Sequence, residues 1–236
     1  MSHLYALADS ASLFTPTLVF YPETIKRNIA RVVDLAGGPG RMRPHAKTHK
    51  TREITKLQLA AGVSKHKCAT VAEAEMLAQC EVPDVLIAYP IVGPNAKRVA
   101  TLAKKYPGTS FSVLIDHSVG AAENSAAATA AGVTLGFLVD LDVGQHRTGI
   151  ALDQAADLYR TTAKLPGLKP NGLHAYDGHN STEPAADREA TALDNIGRVL
   201  ELRHAIEAKG VPVPRIVAGG TPPFTAYAKM TDVPGL

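Results

Sequence analysis

Two cysteines, Cys68 and Cys80, are all the thiol chemistry this chain of 236 residues possesses. They have neither metal-ligand spacing nor the density of a disulfide scaffold, so both are predicted to be free, buried thiols in a reducing compartment. Long apolar runs are missing, and Met1-Ser2-His3-Leu4 opens without a basic stretch leading into a hydrophobic one. No membrane span and no leader are expected, which makes the cytoplasm the predicted location. Charge of one sign is scarce as well. The formal net charge is +3, with Lys and Arg scattered along helical stretches rather than gathered, which argues against nucleic acid as a partner. Nor does a G-x-G-x-x-G open a helix after the first strand, so a dinucleotide-binding fold has no support.

What is present is rhythm. With 45% hydrophobic and 20% charged residues, the chain has the composition of a globular protein that buries one large core. Short β-rich runs occur at Thr17–Tyr21, Met42–Lys47, Lys65–Thr70, Val85–Tyr89, Phe111–Asp116, Leu135–Leu141, Gly172–Tyr176 and Arg215–Gly219. Amphipathic stretches separate them: Glu23–Ala36, Thr51–Ala61, Val71–Cys80, Pro94–Lys105, Ser118–Ala131, Leu152–Lys164 and Asp187–Lys209. Gly and Pro mark the junctions. Eight strands alternating with helices predict an α/β fold, a closed (β/α)8 TIM barrel over residues 17–236, preceded by an extension of residues 1–16. A doubly wound open sheet is the alternative.

A barrel places its functional groups at the C-terminal ends of its strands. The candidates fall there: Lys47, Thr70, Tyr89, Asp116, Asp142 with Arg147, Tyr176 with His179, and the turn Gly219-Gly220-Thr221. A lysine crowded by other cations (Arg43, Lys50) is the kind of amine that attacks aldehydes. Joined by an arginine, a tyrosine and a glycine pair on one rim, it suits a phosphorylated aromatic aldehyde such as pyridoxal 5′-phosphate (PLP). Alternatives exist residue by residue. Lys47 is otherwise a surface lysine, Arg147 a loop arginine paired with Asp140 or Asp142, Tyr176 a packing residue, and Gly219-Gly220 an ordinary turn. His45, His49, His174 and His179 also lie on or near the rim. If the second strand persists through residue 49, His45, Lys47 and His49 share a face.

Five segments read in order as RPHAKTHK (Arg43–Lys50), CATVAEAE (Cys68–Glu75), DVGQHRTG (Asp142–Gly149), GLHAYDGH (Gly172–His179) and AGGTP (Ala218–Pro222). In sequence and spacing they resemble the D-threonine aldolase and D-serine dehydratase branch of the fold-type III, alanine-racemase-like PLP enzymes. The resemblance runs from about Thr15 to the end of the chain, and RPHAKTHK is its most specific part. It implies that Lys47 holds PLP covalently, that Arg147 faces the phenolic oxygen, and that Tyr176 lies against the pyridine ring. It also implies that Gly219, Gly220 and Thr221 receive the phosphate. His179, beyond the strand end on a loop, is the predicted general base on the substrate's β-hydroxyl.

The implied activity is that of a PLP-dependent lyase on D-3-hydroxy amino acids, most like a D-threonine aldolase cleaving Cα–Cβ to glycine and an aldehyde. A D-serine dehydratase-like β-elimination is the second reading, and a non-catalytic PLP-binding barrel or an inactive fragment the third. The family's barrel is normally followed by a β-rich domain that carries divalent-metal ligands, and that domain is expected to be absent here. A divalent metal is therefore expected only if such a region exists, and no residue is assigned as a metal ligand. A homodimer is carried over from the same resemblance.

Overall fold

The structure, a computed structural model, describes residues 5–7 and 9–233. Six strands form one sheet in chain order, every neighbouring pair parallel: β1 (Lys65–Cys68), β2 (Asp84–Pro90), β3 (Ser110–Ile115), β4 (Leu135–Asp140), β5 (Leu168–Ala175) and β6 (Ile216–Ala218). The order follows the sequence because each strand returns through a helix that packs on the outer face. These helices are α1 (Pro22–Ala36), α2 (Arg52–Ala60), α3 (Val71–Gln79), α4 (Pro94–Lys105), α5 (Ser118–Ala131), α6 (Leu152–Thr162), α7 (Ala185–Glu207) and α8 (Phe224–Lys229). The sheet curls into the half-barrel of a TIM-like fold, in agreement with the fold class read from the β-then-α rhythm.

Local chemistry explains the boundaries. Proline occupies the first turn of α1, where a missing N–H costs nothing, and Gly37 ends that helix in the left-handed region at φ 76°. Thr70 caps α3 by accepting the Glu73 N–H, and the Glu73 carboxylate reaches back to the Ala69 N–H at 2.8 Å. Both cysteines are buried and free.

Two predicted strands differ from the structure. Thr17–Phe20 is exposed and joins no strand among the described residues, because β-branched composition favours a strand only when a partner is alongside. Met42–Lys47 is reduced to a single parallel bridge, His45 to Lys67. Pro44 has no N–H to donate and contributes only its carbonyl, which accepts the Lys67 N–H at 2.9 Å. The His45 ring then accepts the Lys47 N–H at 3.2 Å and turns the chain into a 3-10 helix over Ala46–Thr48. His45, Lys47 and His49 therefore do not alternate along one strand face.

The core has two layers. Strand residues such as Val85, Val113, Phe137 and Val139 pack outward against the helices, while Leu86, Leu114 and Leu138 form a smaller cluster inside the curl. Below that inner cluster, Arg43 and Arg215 both bind Asp84, at 2.8 and 2.9 Å from Arg43 and 2.6 Å from Arg215, so the start of β6 is tied across the sheet to β2. Arg41 closes the outside. Its guanidinium donates to the Ala36 carbonyl at the end of α1 and to the Tyr227, Ala228 and Met230 carbonyls around the end of α8. Among the described residues no helix is long and apolar enough to cross a membrane.

Candidate active site

A cavity of about 700 Å³ lies between β6 and the Met42–Thr48 segment, with Lys47, Lys67, Tyr176 and Gly219-Gly220-Thr221 in its wall. That volume is in the range of small-molecule sites, about 300–1,000 Å³. The ring of Tyr176, just past the end of β5, organises its upper part. Three cations surround it: the Arg147 guanidinium lies 5.3 Å from the ring centroid, Lys67 Nζ 5.4 Å and Lys47 Nζ 6.0 Å. Such contacts stabilise cations only modestly.

Two neighbours fix the ring. His174 stacks on it with planes 10° apart and centroids 6.4 Å apart. Gly178 lies under the phenol, where an added Cβ would come within 2.0 Å of the Tyr176 hydroxyl. Gly220 in turn closes on Gly178, since a Cβ at Gly220 would stand 2.5 Å from Gly178 Cα. The two loops therefore interlock only because both positions lack a side chain.

The predicted residues fall as follows. Lys47 is exposed at the cavity mouth, on the 3-10 turn capped by His45. Arg147 is exposed and has no hydrogen bond or ion pair among the described residues, so it is not the loop arginine paired with Asp140 or Asp142. Those carboxylates are taken by other groups: Asp142 by His146 at 2.7 Å, and Asp140 by His174 at 2.6 Å and Thr148 at 2.9 Å. Gly219 has φ +87° and packs against the Tyr227 ring. Its N–H donates to the Ala175 carbonyl at 3.3 Å, and Gly220 and Thr221 beside it line the cavity. His179 is exposed on the loop after β5, its Nε2 3.1 Å from where a Cβ on Gly144 would be. It therefore sits beside the loop that bears Arg147, outside the cavity wall itself.

Lys67, Asp177 and the pairing of Asp140 with the rim residue His174 were not read from the sequence. Lys67, on the inward face of β1, is half-buried and has its amine pushed down to about 8, first by burial and then by Lys47 and Arg43. Asp177 is fully buried, accepts the Tyr227 hydroxyl at 2.8 Å and keeps Oδ1 without a partner. Beside it, burial and the neighbouring carboxylate push the Tyr227 phenol well up. Asp140 pairs with His174, leaving His174 Nε2 buried and unpartnered, and burial holds that imidazole below its ordinary range despite the carboxylate. The strand alternation of β1 was the available signal for Lys67. No group of three or more His, Cys, Asp or Glu is arranged to hold a metal ion among the described residues.

A model of the alanine racemase N-terminal domain matches residues 22–233. The chain belongs to the alanine racemase N-terminal domain family. Within that family it is 34% identical over 217 residues to a 3-hydroxy-D-aspartate aldolase of Paracoccus denitrificans (strain Pd 1222), covering 90% of this chain and 55% of the relative. It is 31% identical over 182 residues to a D-threonine aldolase of an Arthrobacter species, covering 76% and 48%. The crystal structure of D-threonine aldolase from Filomicrobium marinum superimposes with a TM-score of 0.87 at 29% identity, over 96% of this chain and 61% of that one. A D-threo-3-hydroxyaspartate dehydratase from Delftia sp. HT23 gives 0.84 at 25%, over 94% and 59%. The chain thus spans roughly half the length of the curated aldolases it matches.

The residues on this rim fit a phosphorylated aromatic aldehyde. A free amine stands at the cavity mouth, an unpaired guanidinium faces the same ring, and two close-packed glycines leave a backbone N–H beside a hydroxyl where a phosphate needs short approach.

Proposed function

We propose that this chain is the PLP-binding barrel of a lyase acting on D-3-hydroxy amino acids, and that its reaction is aldol cleavage to glycine and an aldehyde. The observation that carries the reading is the convergence of Lys47, Arg147 and Lys67 on the Tyr176 ring above the Gly219-Gly220-Thr221 turn. Once bound, PLP supplies an electron sink that makes the bonds of the substrate's α-carbon labile.

The chain's own residues choose and serve the bond. Lys47 provides the amine that holds the cofactor. Arg147 presents a guanidinium with no competing carboxylate to the phenolic oxygen, a charge-assisted contact. Tyr176 gives the flat surface for the pyridine ring and is itself fixed by His174 and Gly178. The Gly220 N–H and Thr221 hydroxyl take the phosphate. His179 removes the β-hydroxyl proton. His174, oriented by Asp140 and with a buried free Nε2, is the second candidate for that step. The similarity to a dehydratase at a TM-score of 0.84 supports β-elimination as the second reading. The homodimer is also carried as a proposal, to be read from the sedimentation coefficient of the loaded protein.

The test is direct. Added PLP should give a near-visible absorbance band that disappears in Lys47→Ala, and its absence at saturating PLP would sink the reading. Glycine and acetaldehyde from D-threonine mark the aldolase. Pyruvate and ammonia from D-serine mark the elimination instead, and neither product despite the band would leave a PLP-binding barrel without turnover.

A further inference from the structure

Lys67 is an ammonium without a counter-ion. Along β1, His66 points outward, its Nε2 3.0 Å from Gln58 Oε1 on α2, and Cys68 is buried in the helix-facing core. Lys67 points the other way, into the wall of the cavity. No carboxylate lies within ion-pair distance of its Nζ among the described residues. The two that attract it from further off, Asp140 and Asp177, are committed elsewhere: Asp140 to His174 and Thr148, Asp177 to Tyr227. The charges that act on it most strongly are Lys47 and Arg43, both cations. A half-buried charge in such company is stabilised by an anion that arrives with a ligand.

We propose that Lys67 receives a carboxylate of the amino-acid substrate. The inference rests on the reading above, and follows from matching anions to cations. A substrate held by PLP brings a phosphate, a phenolate and at least one carboxylate into this cavity. The phosphate has Gly220 and Thr221, the phenolate has Arg147, and Lys47, set free when the substrate's amine replaces it on the cofactor, is the amine left to move protons at the α-carbon. Of the other cations in the wall, Arg41 is spent on carbonyls, Arg43 and Arg215 on Asp84, and Lys65 is grouped with that pair, which leaves Lys67, 5.4 Å from the Tyr176 ring, for the carboxylate; a compact ammonium on a long stem suits a single oxygen contact. The carboxylate is either the α-carboxylate or, for a dicarboxylic 3-hydroxy amino acid, the one on the side chain.

Malonate binding to the chain without PLP, measured calorimetrically, provides the test. Lys67→Met should weaken it by at least about tenfold, and Lys67→Arg should restore it to within about threefold, as loss of a charge-assisted hydrogen bond requires. Unchanged binding in Lys67→Met, or no malonate binding by the wild type, overturns the proposal. Competition between PLP alone and malonate, with PLP affinity also falling about tenfold in Lys67→Met, overturns it too by assigning Lys67 to the cofactor. Lys67→Gln serves if the methionine variant melts early.

In the PLP-loaded protein, the absorbance change on adding D-alanine or D-aspartate separates the sources. Weakening with both marks the α-carboxylate, and weakening with D-aspartate alone marks the side-chain carboxylate. Failure of PLP to bind the wild type would sink the functional reading while the malonate result stands apart from it.

Discussion

Asp140 and His174 are register partners on neighbouring strands, and Asp140 Oδ1 stands 2.6 Å from His174 Nδ1 with both side chains buried. The pair fixes which imidazole nitrogen is free: Nδ1 faces the carboxylate, and Nε2 is left buried beside the Tyr176 ring. Substituting Asp140→Asn keeps the size but replaces the carboxylate acceptor. It should cost about 1–3 kcal/mol, the usual effect of weakening a buried charge-assisted hydrogen bond. Urea denaturation monitored by far-UV circular dichroism reads this, and an unchanged midpoint would show that the pair does not stabilise the fold.

A second expectation concerns acid. Burial lowers the imidazole of His45 to about 3 and that of His66 to about 4, in each case ahead of the neighbouring charges. A histidine held neutral in the fold binds its proton first in the unfolded chain, so stability is full above the unfolded value near 6.5 and declines as pH falls below it. Each such group adds at most about 1.4 kcal/mol per pH unit to the slope, and the more exposed His45 adds less. Urea midpoints should therefore drop between pH 7 and pH 4. In His66→Gln the drop should be shallower; an equal slope would remove His66 from the account.

The Asp84 carboxylate behaves in the opposite sense. Burial would raise it, but hydrogen bonds and charge from Arg43 and then Arg215 outweigh that and hold it below the ordinary carboxylate range. Its contribution is complete above the unfolded carboxylate value and is lost only as pH falls through the lower folded one. Asp84→Asn leaves Arg43, only 8% exposed, without its partner. The cost should be about 2–4 kcal/mol at neutral pH, a discounted form of breaking a buried ion pair. Thermal melts at pH 7 check it.

Gly220→Ala should be damaging out of proportion to one methyl group. The new Cβ would meet backbone of Gly178 at 2.5 Å, and backbone cannot rotate away. About 1–3 kcal/mol of stability should go, as for other overpacked positions. PLP-dependent absorbance should fall more steeply than in an alanine variant at Gly197, a helical glycine with open space around it.

Much of this site was legible because a barrel sorts its residues by strand end. Lys47, Arg147, Tyr176 and the Gly219–Thr221 turn lie far apart in the chain, yet the β-then-α rhythm alone puts them on one rim, where they meet. Lys67 was harder to see, since it sits within a strand and only the in-and-out alternation of β1 aims it at the cavity. The Asp140–His174 pair depends on the register between β4 and β5, which no local pattern encodes. Met42–Lys47 reads as a strand by composition. Its outcome is decided by a proline that cannot donate and a histidine that accepts from the backbone two residues on. Arg41, an ordinary surface arginine by sequence, spends its guanidinium on four carbonyls from two helix ends.

The open flank between β6 and the Met42–His45 segment also bears on how copies of the chain behave toward each other. Uncovered strand edges normally recruit strands from other molecules. Here β6 is only three residues long and follows Pro212 and Pro214, while the facing lip carries Pro44. At the lower end of the gap Arg43, Arg215 and Lys65 present three positive charges against the single carboxylate of Asp84. Two such flanks brought together would repel at low ionic strength and offer few N–H groups to share. The same prolines and cations that border the gap thus guard it against sticking to its own kind, a protection that added salt should erode.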